Sequence, residues 1–227
     1  EMTLADYDVL ATLFVHPDTK FEANLTRAIA HCDASYAGAA SALREFQSLV
    51  PMDDLLALQE LHTRTFDVQP ITSLDIGYTL FGEDYKRGAL LANLSREHAQ
   101  AEIVCGTELG DHLTNVLRLL PRMADVAVRA ELVHVLLAPA LREMIREFEP
   151  GRLAKKEEIY RKHHKTIIEV AEGDRRTAYL HALEALYAVL KRDFALKTPL
   201  PVEQESTFAV SVSAEMGMEC NTSCAVK

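Results

Sequence analysis

Nine histidines and 34 acidic side chains give this 227-residue chain ample material for metal or acid–base chemistry, so their spacing is the first question. A di-iron helical bundle draws two Glu-x-x-His pairs from facing helices. One such pair is present, Glu131-Leu-Val-His134, with no second, and His134 lies among Leu132, Val133, Val135 and Leu136, where it reads as a core histidine. His163 and His164 are adjacent, which on a helix sets them about 100° apart and denies them a common ion. Of the four cysteines, Cys32 and Cys105 are isolated, and Cys220-x-x-x-Cys224 has no second pair to complete a zinc site. A nucleophile elbow, a phosphate-binding loop and a dinucleotide fingerprint are all missing. These absences predict a protein with no catalytic residues, no metal and no permanently bound cofactor.

Two segments carry more than this background. In Glu108-Leu-Gly-Asp-His-Leu113, Asp111 can open a helix, its side chain capping and its charge complementing the positive helix end. The same Asp111-His112 pair, with Glu108, can instead accept hydrogen bonds from a basic ligand, with His112 titrating near neutrality. Between Thr72 and Gly88 lie three glycines (Gly77, Gly82, Gly88), three aromatics (Tyr78, Phe81, Tyr85) and mixed charge. This stretch reads either as a connecting turn closed by an Asp84 cap or as an aromatic-rich loop lining a peptide groove.

The elements that must position these residues are helical. Ala, Leu and Glu abound, Pro and Gly are scarce before the C-terminal stretch, and no alternating strand appears before residue 200. Leu4, Tyr7, Leu10 and Phe14 space a first helix that ends at Pro17. Leu25 and Ile29 mark a short second one, and Leu43, Phe46 and Leu49 a third stopped by Pro51. Asp53 or Asp54 can cap the next, through Leu55, Leu58 and Leu61. Ser73 or Asp75 opens another, Asp84 one over 85–94, and Asp111 one that Pro121 closes. Residues 124–149 form a long segment interrupted at Pro139, with a break at Pro150-Gly151. Helix resumes over 153–171 with Gly173 as a candidate C-cap, and 175–194 is amphipathic on Leu180, Leu183, Leu186 and Leu190. The predicted class is all-α: one compact multi-helix domain over 1–196, then a poorly ordered tail over 197–227 that includes a weakly alternating Phe208–Ser213.

Charge narrows the partners. With 24 basic against 34 acidic residues the net charge is −10, which disfavours nucleic acid and makes a basic peptide the natural complement. Residues 1–15 carry Asp6 and Asp8 and no basic start, and no apolar run approaches the ~20 residues of a membrane span. A cytoplasmic protein with no membrane insertion is expected.

The order and spacing of the pieces between about 58 and 121 resemble the nitrate reductase delta-subunit branch of the TorD-like molybdoenzyme assembly chaperones. Thr72-Ser-Leu74, Gly82-Glu83 with Arg87-Gly88, and Glu108-Leu-x-Asp111-His112-Leu113 followed by Leu117 match that pattern directly. His62 stands where the family has an aromatic, Thr65-Phe66-Asp67 matches its Leu-Phe-Asp, and Gly110 replaces its usual proline. The resemblance implies a system-specific chaperone that holds the N-terminal segment of a molybdoenzyme catalytic subunit until its molybdenum cofactor is inserted; the client carries the cofactor. It implies apolar contacts from Phe66, Leu80, Phe81, Leu113 and Leu117, and acidic ones from Asp67, Glu83, Asp84, Glu108 and Asp111. His62, Tyr78 and His112 complete the wall. A homodimer is compatible with it, since related helical chaperones can exchange domains. Two other classes stay open: an enzyme handling molybdopterin or a nucleotide through Asp111-His112, and a structural helical adaptor.

Overall fold

The computed structural model describes residues 7–164 and 173–197; among them there is no strand, and the architecture is all-α. The chain divides into a unit Glu1–Leu196 and a second unit Lys197–Lys227. The tail expectation, including Phe208–Ser213, Cys220 and Cys224, falls outside the described residues, as do residues 165–172 and the side chains of His163 and His164.

The helices are α1 (Tyr7–Ala11), α2 (Phe21–Ser35), α3 (Ala37–Leu49), α4 (Leu55–Phe66), α5 (Ile76–Phe81), α6 (Tyr85–Gln100), α7 (Leu113–Leu119), α8 (Val126–Glu131), α9 (Ala138–Arg146), α10 (Pro150–His164) and α11 (Ala178–Asp193). Three begin on aspartates whose carboxylates accept backbone N–H groups. Asp54 takes Ala57 N, Asp84 takes Lys86 N, and Asp125 takes both Ala127 N and Val128 N. Helix α2 is longer than expected. Its buried stripe runs Phe21, Leu25, Ala28, Ile29, Cys32, so a small residue and a thiol extend the period that Leu25 and Ile29 begin.

The core is built where α11 lies on α3, with α2 packed on α3 and α9 on α11. Ala39 and Ala40 on α3 and Ala182 and Ala185 on α11 are fully buried, and side chains that small let two helices approach closely. Around them Leu43, Leu183, Leu186 and Leu190 lose all contact with water, a burial worth about 1.5–3 kcal/mol for each leucine. Asp193 at the end of α11 accepts hydrogen bonds from Tyr7 Oη at 2.7 Å and Tyr36 Oη at 2.6 Å, tying α1 and the end of α2 to the last helix.

Between α8 and α9 the chain does not break. Residues Leu132–Leu137 form a π-helix, with Ala138 N bonded to Val133 O, and Pro139 enters the following turn. Proline has no N–H for the preceding turn, and the wider π-turn accommodates it within a continuous helical path. His134 on this stretch is exposed rather than in the core, on the same side as exposed Val135, while Leu132, Val133 and Leu137 are buried. Pro150 and Gly151 start α10 instead of ending a helix; the break falls just before them, at 147–149. Gly173 opens a 3-10 turn, Gly173–Thr177, that leads into α11. Among the described residues no helix is long and apolar enough to cross a membrane.

Candidate functional site

The two segments singled out in the sequence meet. Ile76 N donates to Asp111 O at 2.9 Å and Leu113 N to Leu74 O at 2.8 Å, pairing Asp75 with His112 in an isolated antiparallel bridge. This crossing sets the start of α5 against the start of α7. Gly77 is required there: a Cβ at that position would sit 2.6 Å from Asp111 Oδ2 and 3.0 Å from Leu90 Cδ2.

Behind the bridge, Arg87 reaches in from the first turn of α6. Its Nε donates to Asp111 Oδ2 at 2.9 Å, and its Nη2 to Asp75 Oδ2 at 2.7 Å and Asp111 Oδ1 at 3.3 Å. Tyr78 lies against the guanidinium, 5.4 Å from ring centre to Cζ. Two carboxylates share one cation, so the group carries one surplus negative charge. Burial and the Asp111 charge raise the Asp75 pKa, with Arg87 opposing them. The hydrogen bond to Asp111 chiefly raises that of Arg87.

This arrangement corrects both sequence readings of Asp111. It caps nothing, because the N-cap of α7 is His112. Nor does it face outward to a ligand: it is 0% exposed, and Arg87 holds both its oxygens. A carboxylate that deep requires a cation of its own, and the chain supplies it. His112 Nδ1 accepts from Thr114 N at 3.4 Å and lies 2.8 Å from Thr114 Oγ1, which places the proton of the neutral ring on Nε2. Burial lowers the His112 pKa, while Glu108, Asp75, Asp111 and Asp67 all pull it back up.

Those carboxylates identify the exposed face of the site. Asp67, at the C-terminal end of α4, and Glu108 are exposed, and both lie close enough to His112 to act on its charge. His62 lies below them, 4% exposed, in a stack of rings: His16 at 5.4 Å, Phe66 at 5.0 Å and Tyr179 at 5.6 Å between centroids. Burial pushes its pKa down to about 4, so at neutral pH it is uncharged and its 4.0 Å approach to Asp67 is not an ion pair. His62 therefore packs among aromatic rings in the core rather than lining a groove.

The other expected residues divide. Phe66, Leu113 and Leu117 are core: Leu113 and Leu117 are 0% exposed, and Phe66 stacks on Tyr179 with centroids 4.9 Å apart. Leu113 and Leu117 face inward because α7 packs on α1 and the apolar stripe of a short helix goes to the core. Leu80 and Phe81 are half-buried on α5. Tyr78 is exposed beside a recess with Thr72, Glu143 and Lys156. Glu83 and Asp84 are exposed on the turn after Gly82 (φ 62°), and Asp84 is occupied in capping α6.

Sequence reasoning did not assign a role to several residues that build the site. Asn115 Nδ2 donates to Leu109 O at 2.9 Å, and His98 Nε2 lies 3.0 Å from Gly110 O; together they pin the 105–111 loop. Both are buried polar side chains inside otherwise apolar helical stripes, which is the signal that could have found them. Val15, Val68 and Leu109 are exposed apolar residues adjoining His16, Asp67 and Glu108. Among the described residues, no group of three His, Cys, Asp or Glu side chains could hold a metal ion. The chain matches no protein-family model and no curated protein.

Proposed function

We propose that this protein is a system-specific assembly chaperone that binds the basic N-terminal segment of a nitrate-reductase-like molybdoenzyme catalytic subunit and assists insertion of the molybdenum cofactor in the client. The observation that carries the reading is the charge balance at the α5–α7 crossing. Asp75 and Asp111 share the single Arg87, and Asp67 and Glu108 stand exposed beside an uncharged His62. A cationic side chain entering above His112 meets three carboxylates whose charge the site leaves unbalanced. Val15 and Leu109, next in sequence to His16 and Glu108, offer exposed apolar surface at its margin. An amphipathic basic segment combines both needs. In this pose the client contacts Asp67, Glu108, His112 and the margin. Leu113, Leu117 and Asp111 hold that surface in shape from beneath.

Titration of the full chain with a peptide of the client's N-terminal segment tests the proposal. Affinity should fall markedly between low salt and 0.15 M, where the Debye length is about 8 Å. Glu108→Gln and Asp67→Asn should each weaken binding about two- to fivefold, the effect of an exposed charge. Salt-independent binding, or wild-type affinity in both variants, removes the acidic face as the recognition site. Failure to retain the apo catalytic subunit in a pull-down removes the chaperone reading itself.

A further inference from the structure

A second concave site lies elsewhere on the molecule, between α4 and α10. It is an open groove lined on its apolar side by Leu61, Val68, Ile71 and Tyr160. Helix α10 is too polar to close it: the helix meets the body through Lys156 Nζ on Ile71 O and Tyr160 Oη on Pro70 O, 3.1 Å for the latter. Polar tethers of that kind hold a helix beside an apolar wall without filling the space between them.

The rim is basic in a chain whose net charge is −10. Arg64, Arg175 and Arg176 line it together with Glu60 and Glu157. Arg64 pairs with Glu60 at 2.5 Å and Arg176 pairs with Glu157. Arg175 is exposed at the mouth with no acidic partner among the described residues. Among the described residues that line the groove, three guanidiniums stand against two carboxylates, with Arg175 exposed over an apolar floor. Guanidinium is suited to such a place, since its planar donors take a carboxylate, sulfonate or phosphate in a fork and it gives up hydration readily.

We infer that this groove is a binding site for a small organic anion with an apolar or aromatic body, its acid group held by Arg175 at the rim and its body on Leu61, Val68 and Tyr160. The ligand has the opposite charge from the cationic partner of the α5–α7 site, so the inference stands independently of the chaperone proposal.

Two fluorescent probes that share one apolar body separate charge from greasiness: 1-anilinonaphthalene-8-sulfonate and the uncharged N-phenyl-1-naphthylamine. The full-length chain, which has no tryptophan to interfere, should bind one sulfonate probe per chain and the neutral probe at least about fivefold more weakly, the increment of one partly screened charge. Arg175→Gln should abolish that preference while leaving the circular dichroism spectrum and melting temperature unchanged, because the residue is exposed. Val68→Asp should weaken both probes, through loss of the floor and added negative charge. Equal binding of the two probes by the wild type, or a sulfonate preference that survives Arg175→Gln, overturns the inference.

Discussion

At the scale of single residues, the site depends on groups that touch no partner. Gly77→Ala brings a methyl group to 2.6 Å from Asp111 Oδ2, and neither the bridge nor Arg87 can yield without breaking a hydrogen bond. A loss of about 1–3 kcal/mol in stability is expected from such overpacking, read by urea denaturation. Asp111→Asn keeps the shape but removes a buried charge from Arg87, and should cost about 1–3 kcal/mol. Asp111→Asn with wild-type stability would show that Arg87 needs only Asp75. His62 gives the pH dependence. Its folded pKa of about 4 lies below the ordinary 6.5, so between those values the unfolded chain binds the extra proton. Stability is then fully present above about pH 6.5 and declines as pH falls toward 4, by about 3 kcal/mol for this residue. His112 acts in the same direction. Exchanging His62→Phe should flatten the acid limb of the stability profile between pH 6.5 and 4 relative to wild type, and an unchanged slope would assign that limb to other groups.

At the scale of elements, helix ends were the part best read from sequence where the cap is a local matter. Asp54 and Asp84 cap as an Asp before an apolar run should, and Asp125, which the sequence reading did not single out, caps α8 in the same way. Asp125 accepts two backbone N–H groups, so Asp125→Ala should destabilise the chain by about 1 kcal/mol while Asp125→Asn is nearly neutral; thermal melts of the pair decide it. Asp111 looks the same in sequence and is not a cap. What separates it from Asp125 is Arg87, 24 residues away, which no local pattern announces. The π-turn before Pro139 has a similar lesson: proline signals an interruption, and the structure meets it by widening the helix rather than ending it.

At the scale of the whole molecule, the core closes within the first unit. Leu183, Leu186 and Leu190 on α11 are buried against α3 and α9, and Asp193 fastens Tyr7 and Tyr36. A chain cut after Lys197 should therefore melt within about 2 °C of the full-length protein, since the buried apolar residues of this core all belong to the first unit. A drop of several degrees would show that residues 198–227 contribute to folding. The two proposed sites also make a whole-molecule contrast. Added salt should weaken the cationic client at the α5–α7 crossing and the organic anion at the α4–α10 groove alike, because each depends on charge of one sign gathered in one place.

The all-α class and most helix positions were determined by the sequence alone. They rest on local physics: apolar residues every three to four positions, aspartates at helix starts, and prolines where a helix must yield. Which way the motif residues face was decided only by the tertiary structure. Asp111, His62, Phe66, Leu113 and Leu117 turn inward, and Asp67, Glu108 and part of His112 remain at the surface. The reason is long-range. Arg87 neutralises Asp111 from another helix, Tyr179 supplies the ring beside His62 and Phe66 from more than a hundred residues away, and α1 covers α7. A motif identifies residues that must be kept together; only packing decides whether they meet a partner or each other.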